Sequence, residues 1–375
     1  MTINDLSMPE SVLRLRMIAG FDGLLRRVTG VTILEENSLH IPGEGFSPGD
    51  LLLTDFCFVQ GSPEAILDTV KLLSEGDAAG LAVKTTYFSD LSQDIKDYAD
   101  QIQFPIFLFD FASLSDVLLY LYDQLKSQKK ADLDEIRLRN MFPAPIPDAE
   151  ILRNVLEINP AFQSDYYCAY LTPIVPSAIL AAQSGPLPVL EQQYSSLVRY
   201  QKGWLLLASF PEGTVIPEQK VHFRKMLAYY RLAQTSFFCG LSQLYHDLTL
   251  FDLCLTEAVC ASRLAQRKQK PLLRFKELGV YQLLLPQLHS RGVLQQIRNI
   301  RTVLDDYDKK YRSNLLETLR VYVQNEGRIA QTAQALFLHV NTVRYRLDKL
   351  KELLGPEDFF VQAYIFIKAD EFLGM

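Results

Sequence analysis

The first 110 residues alternate between short apolar runs and stretches whose apolar residues recur at helical spacing, and this limits the folds open to the chain. Helical spacing is found in SPEAILDTVKLLSEG (62–76) and DLSQDIKDYADQI (90–102). The runs typical of buried strands are RRVTGVTIL (26–34), DLLLTDFCFV (50–59), AAGLAVKT (78–85) and FPIFLFD (104–110). Strands separated by helices of this length predict a small, largely parallel sheet.

Two helices of this block have recognisable ends. Ser62 is a good N-cap and Pro63 suits the first helical position, so a helix is expected to begin there. The stretch VLRLRMIAG (12–20) also has helical spacing and is followed by a stop signal at Gly20. We therefore expect a short helix over residues 12–20.

The composition changes between residues 126 and 148, which are first charged and then proline-rich. Pro143, Pro145 and Pro147 predict an extended linker, so a first α/β domain is expected over 1–125. Residues 149–285 mix strands and helices without a repeating order, which indicates an α+β domain. Residues 286–375 have the pattern of an all-α region.

The overall composition is that of an ordinary globular chain, with 48% hydrophobic and 22% charged residues. The N-terminus does not resemble a signal peptide, and no apolar run reaches the roughly 20 residues of a membrane span. We therefore expect a cytoplasmic protein without a membrane partner. The five cysteines form no CxxC pair and are predicted to be buried free thiols, and the five scattered histidines favour neither a metal site nor another cofactor.

Three helices can be drawn after residue 311, over 312–327, about 328–336, and from Asn341 onward. Asn341 is the expected N-cap of the third helix. Ala333 suits a close helix crossing, and it stands ten residues before Val343, a spacing that suits a helix-turn-helix. The turn FLHV (337–340) lacks the glycine of many such motifs, so Val340 is expected to point inward and His339 outward. The inward stripe of the third helix is Val343, Leu347, Leu350 and Leu354.

This stripe determines which side chains face outward. Tyr345 lies opposite Val343 and Leu347, and Thr342 and Lys349 flank it. The second helix of a helix-turn-helix places its N-terminal residues at base edges in the major groove of DNA. The predicted DNA-contacting residues are Thr342, Tyr345, Arg346 and Lys349 on the outward face, Arg344 and His339 at the phosphate edge, and Asn341, which caps the helix and reaches a phosphate.

The charge distribution agrees with a nucleic-acid partner. The whole chain has a formal charge of -6, whereas residues 312–355 contain seven Lys or Arg and four Asp or Glu, a local charge of +3. The remainder therefore carries -9, and positive charge on one helix suits phosphate neutralisation. A solvated basic helix surface would have the same composition, so charge alone does not distinguish the two interpretations.

The C-terminal stretch resembles the helix-turn-helix of PucR-type (CdaR-type) bacterial transcription regulators. The N-terminal stretches IAGFDGLLRRVTGVTILEE and SPGDLLLT are similar to the same family's sensor domain, with departures at Asp50, Asp55 and Phe56. Residues 149–285 are similar, more weakly, to its degenerate GGDEF-like domain. The C-terminal residues that match the family pattern are Thr318, Leu319, Ala333, His339, Asn341, Thr342, Tyr345, Arg346 and Leu347.

The resemblance implies a sequence-specific DNA-binding transcription regulator that responds to a small-molecule effector and activates a metabolic operon. The implied partners are double-stranded promoter DNA, the effector and RNA polymerase. A homodimer or higher homo-oligomer is expected because one helix reads only a half-site, and the helices at about 280–310 are candidates for its interface. The effector-binding residues are not indicated.

Enzyme functions are the main alternatives. A nucleotide-binding or cyclase-like signalling protein would act through the GGDEF-like domain, but the chain has no Gly-Gly-Asp/Glu-Glu-Phe string. GFSPG (45–49) matches the nucleophile elbow G-x-S-x-G, but Pro48 has no N–H for an oxyanion and a strand follows, so a turn before a strand is favoured. A metabolite-binding module acting through protein partners is a third alternative.

Two charged clusters have both a functional and a structural interpretation. Asp305, Asp306 and Asp308 suggest a metal site, but adjacent aspartates on a helix do not share one face well, so a solvated surface or a cap is favoured. The basic run RLAQRKQKPLLRFK (263–276) suits DNA phosphates and equally suits a charged helix end followed by a loop.

Overall fold

The computed structural model describes residues 1–5, 15–34, 45–59, 62–87, 89–110, 112–141, 146–175, 192–288 and 290–374. The chain divides into two compact units, unit 1 over Met1–Leu133 and unit 2 over Asp134–Met375. Within the described residues, no helix is both long and apolar enough to cross a membrane.

Unit 1 contains a five-stranded sheet with the order β1-β5-β4-β3-β2. Strands β2 to β5 run parallel, as the alternating pattern predicts, and β1 pairs antiparallel with β5 at one edge. The strands are β1 (Arg16–Ala19), β2 (Gly30–Ile33), β3 (Asp50–Thr54), β4 (Gly80–Lys84) and β5 (Ile106–Phe109).

Helices cover both faces of this sheet. They are α1 (Pro63–Glu75), α2 (Gln93–Gln101) and α3 (Leu114–Asn140). Ser62 caps α1 as predicted, since its hydroxyl accepts a hydrogen bond from the backbone N–H of Ala65 at 3.4 Å. The α1 and α2 side chains pack on one face, and Val117 and Leu121 of α3 pack on the other. Unit 1 is therefore a three-layer α/β structure.

The predicted helix over residues 12–20 is wrong where the structure describes it. Residues 16–19 form β1, in which Arg16 lies opposite Leu108 and Met17 opposite Phe107, and residues 12–14 lie outside the described part. The helical spacing was a local signal. Backbone hydrogen bonds to β5 provide the competing stabilisation, because pairing with a partner strand overrides local propensity.

The predicted linker over residues 126–148 begins as a helix. Residues 126–140 form the second half of α3, which is consistent with their high content of Lys, Gln, Leu, Glu and Arg. Pro143 and Pro145 lie outside the described residues, and Pro147 is extended with φ -60° and ψ 140° before α4. The division between the units, after Leu133, falls within the predicted linker.

Unit 2 begins with a second five-stranded sheet, of order β10-β9-β6-β8-β7, in which only β9 and β10 are parallel. Its strands are β6 (Asp165–Pro173), β7 (Ser195–Tyr200), β8 (Gly203–Phe210), β9 (Phe237–Leu241) and β10 (Leu272–Arg274). The helices α4 (Asp148–Ile158) and α6 (Phe251–Arg267) cover one face, and α5 (Gln219–Tyr229) covers the other. At Gly240 the sheet touches α6 so closely that a Cβ atom would lie 2.0 Å from the backbone nitrogen of Ser262.

The cysteines are free thiols, as predicted, and most are buried. Burial raises the pKa of the Cys239 and Cys260 thiols to about 12, so both stay protonated. The prediction of burial is wrong for Cys57, which is exposed in the loop after β3. Phe56 of the same loop is fully buried in the core of this sheet, whereas the neighbouring Cys57 is exposed, so an apolar sequence context does not by itself report burial.

The rest of unit 2 is helical and shares one apolar core, to which Leu304, Leu319, Val343 and Phe366 contribute. Its helices are α7 (Tyr281–Gln287), α8 (Arg291–Tyr311), α9 (Leu315–Gln324), α10 (Ile329–Ala335), α11 (Val340–Leu354) and α12 (Phe359–Leu373). The predicted all-α region after residue 285 is therefore present, packed within the same compact unit as the second sheet.

Candidate nucleic-acid interface

Helices α9, α10 and α11 pack as a helix-turn-helix around Ala333, which is almost fully buried where α10 meets its neighbours. The predicted stripe of α11 faces this core. Val343, Leu347 and Leu350 are buried, and Leu354 is half-buried against the same cluster. The stripe therefore determines which side of α11 remains exposed.

The turn between α10 and α11 places Phe337 in the left-handed region, with φ 54°. Two backbone hydrogen bonds close the end of α10, from Leu338 N–H to the Ala333 carbonyl at 2.9 Å and from Phe337 N–H to the Gln334 carbonyl at 3.2 Å. This is the Schellman arrangement that commonly has glycine at the left-handed position. The Phe337 side chain is 95% exposed, and neither the apolar period nor the charge pattern of the sequence marks it as a site residue. Val340 is half-buried against the core, in the expected direction.

His339 is the N-cap of α11, so the prediction that Asn341 caps the helix is wrong. The chain is extended at His339, with φ -69° and ψ 145°, and its Nδ1 accepts a hydrogen bond from the backbone N–H of Asn341 at 3.2 Å. The N-cap lies two residues earlier than expected, which makes Asn341 the second residue of the helix, and its side chain is exposed. With Nδ1 accepting, the ring proton is on Nε2, and that N–H remains available as a donor.

Five predicted site residues lie together at the exposed start of α11. We call them the N-terminal face of α11: His339, Asn341, Thr342, Arg344 and Tyr345. Tyr345 is 71% exposed, and Arg344 makes no ion pair with any residue that the structure describes. This face combines an imidazole, an amide, two hydroxyls and a cation, all of which can donate hydrogen bonds to phosphates or bases.

Arg346 and Lys349 are half-buried beside neighbouring helices. Arg346 donates from Nη1 to the hydroxyl of the buried Thr318 on α9 at 3.0 Å. Lys349 forms an ion pair with Glu352 and lies 5.8 Å from the ring centre of Tyr307 on α8. The hydrogen bond to Glu352 raises the pKa of Lys349. The contacts that the structure shows for Arg346 and Lys349 lie within the protein, and their contacts with DNA stay predictions.

The aspartate cluster after residue 304 connects α8 to α9. The Asp308 carboxylate accepts hydrogen bonds from the backbone N–H groups of Leu315 at 2.6 Å and Leu316 at 3.1 Å, so it caps α9. Asp305 pairs with Arg301 at 2.9 Å. The cluster thus contains a cap, one of the two structural interpretations expected from the sequence, and Asp305 and Asp308 have separate partners.

A buried carboxylate joins three helices below the interface. Asp370 of α12 is 2% exposed and accepts a hydrogen bond from Arg301 of α8 at 2.7 Å. A nitrogen of Arg320 on α9 lies 3.5 Å from its other oxygen. Both α8 and α12 are therefore fastened to the helix-turn-helix by charged as well as apolar contacts.

The two remaining sequence motifs also have structural partners. Ser47 of GFSPG donates its backbone N–H to Asp50 at 3.0 Å, and Gly49 has φ 83° in the turn that leads into β3. In the basic run 263–276, Arg267 donates to the carbonyl of Leu373 at 3.0 Å and Arg274 pairs with Glu277. These contacts agree with the turn before a strand and with the charged helix end.

Both ends of the chain match models of known protein families. Residues 315–358 match the family described as PucR C-terminal helix-turn-helix domain, which covers α9, α10 and α11. Residues 6–119 match the purine catabolism regulatory protein-like family, which covers the sheet of unit 1.

Three curated relatives come from Bacillus subtilis (strain 168). The proline-responsive transcriptional activator PutR is 20% identical over 303 residues, 75% of this chain and 70% of PutR. The DNA-binding transcriptional activator AdeR is 26% identical over 113 residues, 29% of this chain and 27% of AdeR. The purine catabolism regulatory protein is 52% identical over 42 residues, 11% of this chain and 8% of its own.

Among solved structures, the regulator of polyketide synthase expression from Bifidobacterium adolescentis matches 63% of this chain and 98% of its own. The sequence identity is 18% and the TM-score is 0.26.

Proposed function

The chain belongs to the PucR-type transcription regulators and is a DNA-binding regulator, and from this we propose that it activates a metabolic operon in response to a small metabolite. The proposed DNA-binding element is α11, lying in the major groove of double-stranded promoter DNA. The observation that carries the proposal is the N-terminal face of α11, whose five polar side chains lie exposed at the end of the helix that a helix-turn-helix inserts into the groove.

We assign the roles within this face by chemistry. Thr342 and Tyr345 are proposed to contact base edges, because their hydroxyls both donate and accept and Tyr345 is strongly exposed. Arg344, the Nε2–H of His339 and the amide of Asn341 are proposed to contact phosphates. Such contacts fix the register of the helix on the duplex.

Arg346 and Lys349 have a second role in this proposal. Arg346 already donates to Thr318, so its remaining guanidinium N–H groups would meet DNA while α9 holds the side chain. Lys349 would exchange Glu352 for a phosphate. Their contribution to DNA affinity is therefore proposed to be smaller than that of Arg344 and Tyr345.

We propose a homodimer or higher homo-oligomer that reads two half-sites. One recognition helix spans only a few base pairs, so a two-fold assembly extends the sequence that is read. The region of α7 and α8 is the proposed interface, and it exposes apolar side chains, with Leu283 79% exposed and Val303 also exposed.

The sheet of unit 2 is proposed to be a GGDEF-like scaffold without catalytic activity. Strands β7 and β8 are joined by the two-residue turn Gln201 and Lys202, and no Gly-Gly-Asp/Glu-Glu-Phe string occurs in the sequence. Cyclase chemistry needs that motif for nucleotide phosphate and metal. The turn is instead held by Glu135, which accepts hydrogen bonds from Arg199 at 3.0 Å and from the backbone of Gln201 at 3.3 Å.

The activating role is supported by two relatives named as transcriptional activators. An activator of this kind would contact RNA polymerase at the promoter and work in the cytoplasm, where a bacterial chromosome lies. One relative is named as proline-responsive, which supports a small metabolite as the effector of this chain.

Genome-wide footprinting of the full chain would test the proposal and provide the promoter fragments for measured affinities. We expect Tyr345→Ala to weaken binding to its own promoter by about 10- to 100-fold, the range for a lost base contact. We expect Arg344→Ala to weaken binding to all sequences and to reduce the salt dependence by about one phosphate contact.

Two matched variants serve as controls. Tyr122→Ala removes an exposed tyrosine of unit 1, and Arg224→Ala removes an exposed arginine of α5, outside the proposed interface. Both should bind promoter DNA like the wild type. A footprint that is unchanged in Tyr345→Ala and Arg344→Ala would refute the groove assignment, and a chain without any footprint would favour a metabolite-binding module that acts through protein partners.

A further inference from the structure

A cavity of about 450 Å³ lies on the α5 face of the second sheet and has an apolar wall. The rings of Tyr167 on β6 and Phe210 on β8 are stacked 6.2 Å apart in this wall. The Tyr167 hydroxyl is 2.9 Å from Nδ1 of His222, whose ring also packs 4.8 Å from Phe210. The volume is that of a small-metabolite pocket, and its wall suits a compact apolar group.

Two glutamine side chains in the lining have amide groups whose orientation is set by hydrogen bonds within the protein. Gln219 donates from Nε2 to the backbone carbonyl of Ser242 at 2.8 Å, and Gln243 donates from Nε2 to the Glu257 carboxylate at 3.0 Å. Carbonyl and carboxylate oxygens only accept hydrogen bonds, so the orientation of both amides is fixed. What remains for a ligand is a pair of acceptors, which suit an ammonium or another N–H donor.

The buried carboxylate behind Gln243 strengthens this preference for a cation. Glu257 is buried and accepts hydrogen bonds from the backbone N–H of Gln243 at 2.8 Å and from the Tyr245 hydroxyl at 3.0 Å. The structure shows no basic side chain paired with Glu257 among the residues it describes. The carboxylate lies directly behind the Gln243 amide that lines the cavity, so it attracts a positively charged group bound there.

A basic side chain in the same lining suits a negatively charged group of the ligand. Lys276 lines the cavity with an exposed side chain, and its ammonium has no ion pair or hydrogen bond in the described part of the chain. It can therefore bind a carboxylate of a ligand that also reaches the two amide oxygens. A cation, two acceptors and an apolar wall together match a small zwitterion with an apolar body.

We propose that this cavity binds an amino acid or a close amino-acid analogue, and that this ligand is the metabolite to which the regulator responds. The ligand's carboxylate binds Lys276, its ammonium binds the carbonyl oxygens of Gln219 and Gln243, and its apolar part packs on Tyr167 and Phe210. The regulatory half of this inference rests on the proposed function, whereas the binding half can be measured without DNA.

The test is calorimetric titration of the full chain, without DNA, with the standard amino acids as probes. For any amino acid that binds, the N-acetylated and carboxamide forms should bind at least about tenfold more weakly, because each loses one charge-assisted contact. Lys276→Ala should weaken binding by about tenfold. Ile216→Trp, which fills the cavity from its exposed loop, should abolish it.

Lys270→Ala is the matched control, since Lys270 is exposed and outside the cavity lining. It should bind the amino acid like the wild type. Binding that persists in both Lys276→Ala and Ile216→Trp, or a chain that binds no amino acid, would overturn the site. Far-UV circular dichroism of each variant verifies that its fold is retained.

Promoter occupancy separates this inference from the proposed function. An amino acid that binds in the cavity and changes promoter affinity or transcription supports both halves of the inference. Binding without any change in either overturns the effector role. If the chain binds its promoter through Tyr345 but binds no amino acid, the cavity assignment fails and the DNA-binding function stands.

Discussion

Replacing Phe337 by glycine should stabilise the helix-turn-helix although it deletes a large aromatic side chain. Phe337 has φ 54° in the turn between α10 and α11, a conformation that costs an L-residue roughly 1–2 kcal/mol. Its side chain is 95% exposed, so truncation loses almost no buried apolar area. The backbone conformation therefore dominates the effect of the substitution.

The comparison with Phe337→Ala isolates the backbone contribution, because both variants lack the ring. Glycine removes the free-energy cost of the left-handed conformation. It also gives the unfolded chain more entropy, which destabilises the folded state by about 0.5–1 kcal/mol. We expect Phe337→Gly to exceed Phe337→Ala in free energy of unfolding by about 0.5–1 kcal/mol. For a unit of this size, that corresponds to an increase in Tm of about 1–4 °C.

Urea denaturation of the full chain, followed by circular dichroism, measures the difference. Gln334 provides the control with the opposite sign, since it is exposed within α10 and has ordinary helical geometry. Gln334→Gly should be less stable than Gln334→Ala by about 1 kcal/mol. If Phe337→Gly is less stable than Phe337→Ala, the left-handed turn does not carry the strain assigned to it.

Three further predictions concern the polar contacts around α9. Asp308→Ala removes the cap of α9 and should lower the free energy of unfolding by about 1–2 kcal/mol in urea, and an unchanged midpoint would contradict the capping role. Asp370→Ala removes the shared partner of Arg301 and Arg320, which keep Asp305 and Glu317, and should cost about 1.5–3 kcal/mol, measured in the same way, whereas a cost below about 1 kcal/mol would show that the carboxylate is dispensable. A double-mutant cycle with Thr318→Val and Arg346→Ala should give a coupling energy of about 1 kcal/mol, and additive effects would mean that their hydrogen bond contributes nothing.

Elements with local causes could be predicted from the sequence. The Ser62 cap and the alternation of strands and helices in unit 1 follow from neighbouring residues, and both are present in the structure. The inward stripe of α11 could be predicted in the same way, because a helix repeats its faces at a fixed period. Val343, Leu347 and Leu350 are buried as that period requires.

The predictions that are wrong concern positions whose structure is determined by a residue far away in the sequence or by a backbone angle. Residues 16–19 become a strand because β5, about 90 residues away, provides hydrogen bonds that helical spacing cannot reveal. Asparagine is the better capping residue by type, but the residue with an extended backbone directly before the helix is His339. His339 is therefore the cap instead of Asn341. The periodic pattern placed Arg346 near the edge of the stripe but could not reveal Thr318, 28 residues earlier, which holds it.

The core that supports α11 extends beyond the helix-turn-helix motif. Phe359, Ala363, Phe366 and Ile367 of α12 lie in the same apolar cluster as Val343 and Leu347, and Asp370 ties α12 to α8 and α9. A recombinant fragment that ends where the family motif ends, at residue 358, would therefore expose that core to water. The smallest DNA-binding fragment that folds on its own must therefore include both α8 and α12. Fusion proteins built on this chain should have their boundaries before α8 and after α12.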